Sequence, residues 1–214
     1  MLLDCHAHNK PYSLTRIVSL SQEMLTQNSR PQGFFSAGVH PWEIKNVDVL
    51  WEKVLELTLD DRCLAIGETG IDRLTPELNK QIDILMDHFE LAHKRQKPIL
   101  VHCVRSHADF MEIGKNLNWS LPIIWHDFIG HEKIFIETIK HFPSSFFSLS
   151  PRSMRKDNHF IPHDRLLIES DEFLDVDFNN HLDHLARQRK MSLEEFKGLI
   201  HKNCKLVFNR VAEE

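Results

Sequence analysis

Leu2-Leu3-Asp4-Cys5-His6-Ala7-His8 is a short apolar run that closes on two histidines one residue apart. In an extended strand, residues two apart share a face, so His6 and His8 converge on one point while Cys5 and Ala7 look the other way. Two converging imidazoles are half of a metal site. A doubly wound nucleotide-binding sheet would carry a glycine-rich phosphate turn after its first strand. HxH stands there instead, which favours a closed (β/α) barrel over an open sheet.

The same grammar recurs down the chain. Pro98-Ile99-Leu100-Val101-His102 and Leu121-Pro122-Ile123-Ile124-Trp125-His126 are apolar runs that end in histidine, and residues 33–41 read as a strand ending at His40-Pro41. Cys63-Leu64-Ala65-Ile66-Gly67-Glu68 and Arg165-Leu166-Leu167-Ile168-Glu169-Ser170-Asp171 are apolar runs that meet a carboxylate. Residues 16–20 and 146–150 are further short strands. Between them lie helical patterns over 21–27, 47–59, 76–97, 107–117, 132–141 and 179–190, the longest with Ile82, Leu85, Met86, Phe89 and Ala92 on one stripe. Ser192 with Glu195 three residues on is a capping box opening a last helix to Val207. Buried strands alternating with amphipathic helices at about a 30-residue period predict an α/β fold of the TIM-type (β/α) barrel kind. The interval from His8 to His40 is short for a full βα pair, so the barrel is expected to be abbreviated in its first βα units. No Pro/Gly/Ser linker or composition break divides the chain, and a single domain over 1–214 is expected.

Composition narrows the function classes. The 26 Lys and Arg against 31 Asp and Glu leave a formal charge of −5 and a pI near 6.3, unlike proteins that coat nucleic acid by charge alone, so a polyanion would have to be held locally. Cys5, Cys63, Cys103 and Cys204 show no CxxC spacing, which argues against a zinc ribbon or disulfide framework and for reduced core thiols. No apolar run approaches the roughly 20 residues of a membrane span, and no basic-then-apolar leader is present, so a cytoplasmic protein without membrane attachment or an obligate protein partner is expected.

Glu68, His102, His126 and Asp171, like His6 and His8, are each placed at the carboxyl end of a predicted strand, and in a barrel those ends share the face where active sites are built. Six such groups buried together are costly without a compensating ion. Imidazole and carboxylate suit Mg, Mn, Co or Zn, and a carboxylate can bridge two ions about 3.5 to 4 Å apart, which makes Glu68 the bridging candidate. Arg73, Arg105, Arg152, Arg155 and Lys156 are candidate phosphate contacts, with Arg152 to Lys156 just past the Phe147 strand, and His40 and Trp42 are expected at the mouth.

These residues resemble the TatD-like metal-dependent hydrolases, many of them described as magnesium-dependent deoxyribonucleases. Asp4-Cys5-His6-Ala7-His8 resembles the family's first metal motif and Gly38-Val39-His40-Pro41-Trp42 its GxHP motif. Ala65-Ile66-Gly67-Glu68-Thr69-Gly70-Ile71-Asp72 is close to its IGExGLD signature. Val101-His102-Cys103 and His126-Asp127-Phe128-Ile129-Gly130 match two later histidine motifs, Leu167-Ile168-Glu169-Ser170-Asp171 the LxETD strand, and Asn203 to Phe208 the NxxxxF tail. The resemblance implies two divalent ions, one held by His6, His8, Glu68 and Asp171 and the other by Glu68, His102 and His126. It implies phosphodiester hydrolysis of nucleic acid or a small phosphodiester by a metal-activated water, with Glu68 and Asp171 catalytic and Asp171 accepting the proton. His40, Arg105, Arg152 and Arg155 are the substrate-binding candidates. Two departures bear on phosphate contacts: Val104 stands where the family commonly has arginine, and Glu172-Phe173 replaces the usual proline after the last aspartate. Two other readings use the same residues, a metal-dependent amide or ester hydrolase of the amidohydrolase type and a catalytically silent metal-binding module.

Overall fold

The computed structural model describes residues 1–27 and 31–208; the last six residues of the expected 1–214 domain lie outside them. Eight strands close into a barrel in chain order: β1 (Asp4–Ala7), β2 (Arg16–Ser19), β3 (Phe35–Ala37), β4 (Cys63–Asp72), β5 (Ile99–Val104), β6 (Ile123–Trp125), β7 (Ser145–Leu149) and β8 (Leu166–Ile168). Every neighbouring pair is parallel, and β1 closes on β8 through Asp4 opposite Ile168. The helices are α1 (Gln22–Thr26), α2 (Val47–Leu57), α3 (Leu78–Arg95), α4 (His107–Asn116), α5 (Glu132–His141), α6 (Asp175–Gln188) and α7 (Leu193–Phe208). Residues 8–15 join β1 to β2 without a helix and α1 is barely more than one turn, so the barrel is abbreviated at its start as the spacing predicts.

The core lies between the strands and the helical ring, where Phe35, Phe89, Phe110, Phe142, Phe147 and Phe196 are fully buried. All four cysteines are free thiols, and three of them are buried. The capping box forms: Ser192 N–H donates to Glu195 Oε2 (2.8 Å) and Glu195 N–H donates to Ser192 Oγ (3.3 Å). α6 starts at Asp175, earlier than the apolar spacing indicates, with Asp175 and Asp177 complementing the helix dipole in its first turn. No helix among the described residues is long and apolar enough to cross a membrane.

Two differences from the sequence reading have physical causes. The buried face of α3 is Gln81, Ile84, Leu85, His88, Phe89, Leu91 and Ala92, while Met86 is 38% exposed. Gln81 and His88 look polar in a hydrophobic count, yet both occupy the core because each has specific hydrogen-bond partners there. β4 does not end at Glu68 but continues to Asp72, with an irregular register between Ile66 and Thr69. Gly67 (φ +129°) and Gly70 (φ +153°) permit this: a Cβ on Gly67 would strike the Leu100 carbonyl oxygen, and one on Gly70 the His102 carbonyl oxygen. β4 and β5 therefore approach closely at the level of Glu68 and His102.

Candidate metal centre

β1 carries His6, which is fully buried, and His8 follows at its end. Their position is stitched to the chain leaving the neighbouring strand β8: His8 N–H donates to Asp171 O (2.9 Å), and Asp171 N–H donates to His6 O (3.0 Å). Asp171 lies three residues past β8 in a left-handed conformation (φ 51°), a strained backbone for a non-glycine residue. His102 sits on β5, and His126 immediately follows β6.

Glu68 is the hub. Its Oε2 lies 3.3 Å from His6 Nε2 and 3.1 Å from His8 Nε2, and its Oε1 lies 2.8 Å from both His102 Nδ1 and His126 Nε2. Asp171 Oδ1 is 3.9 Å from the Nε2 atoms of His6 and His8. The six residues singled out as ligands are thus brought together, with one oxygen of Glu68 facing each pair of imidazoles. His40, expected at the mouth, joins them: its Nε2 is 3.2 Å from Glu68 Oε1 and 3.3 Å from His102 Nδ1.

The donor chemistry fits divalent ions. Both ring nitrogens of His6 are buried without a hydrogen bond. The facing nitrogens of His102 and His126 are 3.2 Å apart, so imidazoles aim at shared space between them. Donor atoms of His6, His8 and Glu68, of His6, His126 and Asp171, and of His40, Glu68 and His102 lie within 4.8 Å of one another in each group. Burial pushes the Glu68 carboxyl up, but the surrounding histidines, His126 and His6 foremost, outweigh it and hold it well below the carboxylate range. Burial opposes a charge on His126, yet Glu68 and Glu169 raise it well above the usual value. His6 is lowered by burial to about 4, and Asp171 is raised by burial and by the nearby Glu169.

Two carboxylates given no role by the sequence reading stand behind the imidazoles. Asp72 Oδ2 is 3.4 Å from His102 Nε2, and Glu169 Oε1 is 3.5 Å from His126 Nδ1 while accepting Asp127 N–H. Both stand inside the motif stretches, Asp72 at the end of the IGExGLD-like run and Glu169 two residues before Asp171, so the signal was present without a geometry to interpret it.

The centre opens into a cleft of about 1840 Å³ lined by apolar groups such as Trp42, Leu74 and Phe128 and by Arg105, Arg152 and Lys156. Arg152 reaches inward, 3.1 Å from Asp127 Oδ2 and 3.8 Å from Asp171 Oδ2. Arg155, on the same 3-10 turn, is exposed and is not among the cleft-lining residues. Arg73 is held on the surface by a two-pronged pair with Asp109 (2.7 and 2.6 Å).

The chain is 26% identical over 199 residues to an uncharacterized metal-dependent hydrolase, MJ1582, of Methanocaldococcus jannaschii, covering 83% of this chain and 76% of that protein. It is 25% identical over 146 residues to the human 3'-5' RNA nuclease TATDN2, covering 63% of this chain but only 19% of the human protein. Its fold superimposes on the crystal structure of YjjV, a TatD homolog from Escherichia coli K12, with a TM-score of 0.78 and 18% identity, covering 97% and 98% of the two chains. Residues 5–209 match the family described as TatD related DNase, and the chain belongs to that family.

Proposed function

We propose that residues 1–214 form a single hydrolase barrel that cleaves phosphodiester bonds, a TatD-like deoxyribonuclease or exonuclease of the cytoplasm working with two divalent ions (Mg, Mn or Zn). One ion is assigned to His6, His8, Glu68 and Asp171, the other to Glu68, His102 and His126. The observation that carries the reading is the division of Glu68, whose Oε2 faces His6 and His8 while its Oε1 faces His102 and His126, with His40 beside them. Divalent ions in such a donor set supply Lewis acidity toward a phosphoryl oxygen and toward water.

The chain's own groups do the rest. Asp171, at the open end of the centre with a raised pKa, accepts the proton of the attacking water. Arg152, beside Asp171, and Arg105, at the rim, counter the phosphate charge, while His40 orients the substrate from within the hub. Nucleic acid as substrate is supported by the cleft's size and by the human relative, which is named an RNA nuclease.

Glu68→Gln removes the shared anion with little change of shape. It should abolish hydrolysis of bis(p-nitrophenyl) phosphate and of single-stranded DNA in Mg, Mn and Zn alike, and a variant retaining activity would overturn the reading. Wild-type protein that cleaves an acyl ester or amide but no phosphodiester would move the assignment to the amidohydrolase type.

A further inference from the structure

We infer that Asp72, locked in place by Trp42, is a positioning residue that selects which nitrogen of His102 faces Glu68. His102 stands between two carboxylates, with Nδ1 2.8 Å from Glu68 Oε1 and Nε2 3.4 Å from Asp72 Oδ2. A neutral imidazole has one proton to give, so if Nδ1 serves as a metal donor beside Glu68 the proton has to sit on Nε2, facing Asp72.

Asp72 is built for that purpose. It is 2% exposed and anchored at every polar atom. Its N–H donates to Gln81 Oε1 (2.8 Å), and its carbonyl oxygen accepts from Gln81 Nε2 (3.2 Å). Oδ1 accepts Leu74 N–H (2.8 Å), and Oδ2 accepts the indole N–H of Trp42 (2.8 Å). With these donors in place the carboxylate can only accept from His102, so it stabilises the tautomer with the proton on Nε2, the one in which Nδ1 is free to act as a metal donor. Nδ1 is then bare, aimed at Glu68 and at His126 and His40, whose Nε2 atoms are 3.2 and 3.3 Å away.

Trp42 is the device that makes the choice firm. Its ring meets His40 edge to face at 4.7 Å and lies 6.0 Å from His102, so the indole is held by the same histidines whose geometry it helps set. An aromatic residue without an N–H would fill the space and leave Oδ2 free to swing away.

The inference rests on the reading of His102 as a metal donor, and its tests do not depend on the substrate. Zn²⁺ titration of the chelator-treated full chain by calorimetry should show Asp72→Ala binding about 10- to 100-fold more weakly than wild type, with Trp42→Phe weakened by a smaller factor. In the Zn²⁺-loaded wild type, ¹⁵N spectra assigned through a His102→Asn variant should place the proton of His102 on Nε2. Wild-type affinity in Asp72→Ala, or a proton found on Nδ1, overturns the inference. If Asp72→Ala fails to fold by circular dichroism, Trp42→Phe decides alone, and unchanged affinity overturns it. A chain that binds Zn²⁺ with these signatures yet hydrolyses no phosphodiester overturns only the proposed function.

Discussion

Protonating His88 should loosen the segment that delivers His40, and the loss can be worked out from the structure. His88 is fully buried on α3; its Nδ1–H donates to Ile84 O (2.7 Å), and its bare Nε2 accepts Val39 N–H (3.0 Å), one residue before His40. A second proton would set two donors face to face, and burial accordingly lowers the His88 pKa from 6.5 to about 4. Because the folded value lies below the unfolded one, the unfolded chain binds more protons between the two. The contribution of His88 to stability is therefore complete above pH 6.5 and drains away as the pH falls toward 4. At about 1.4 kcal/mol per tenfold change in proton affinity, the full span is about 3 kcal/mol, of which about 2 kcal/mol is lost between roughly pH 7 and pH 5. Asp4, raised by burial to about 7, works in the opposite direction, and His181, lowered by burial to about 4, in the same direction, so wild type alone does not isolate His88. His88→Gln does, since its amide can accept from Val39 and donate to Ile84 without titrating. Urea unfolding of the chelated protein at both pH values should show the variant losing about 2 kcal/mol less than wild type on acidification. Equal losses would refute the reasoning.

Four further expectations concern the centre itself. Gly67→Ala forces a Cβ into the Leu100 carbonyl oxygen at a φ of 129° and should cost about 3 kcal/mol or prevent folding, so a urea midpoint like that of wild type would contradict the close approach of β4 and β5. Adding Mn²⁺ to the chelated protein at about a hundredfold excess over its Kd should stabilise it by about 2.7 kcal/mol. His8→Ala should lose metal occupancy without unfolding, and full occupancy of both sites by elemental analysis would exclude His8 as a ligand. Arg152→Ala should raise KM for single-stranded DNA several-fold and flatten its dependence on salt, leaving metal binding intact; an unchanged KM would remove Arg152 from the substrate path.

Much of this molecule is legible along the chain because its grammar is local. An apolar strand that stops at a histidine or carboxylate, a helix period, a capping box and an interval too short for a helix are all written within a few residues, which is why the barrel, its shortened start and the six candidate ligands follow from the sequence. What the sequence could not supply is which side chains meet, because that depends on barrel closure and the close approach of strands. Glu68 becomes a hub in mid-strand only because two glycines let β4 run against β5. His40 enters the centre, Arg152 turns inward and Arg155 does not line the cleft, although each is an ordinary polar residue at a strand end or turn. Asp72 and Trp42 are 30 positions apart and touch only when β3 and β4 lie side by side. Spacing identified HxH as the corner of a candidate metal centre; tertiary packing decided what braces the rest of it, since a hydrogen bond between distant strands leaves no periodic trace in the sequence.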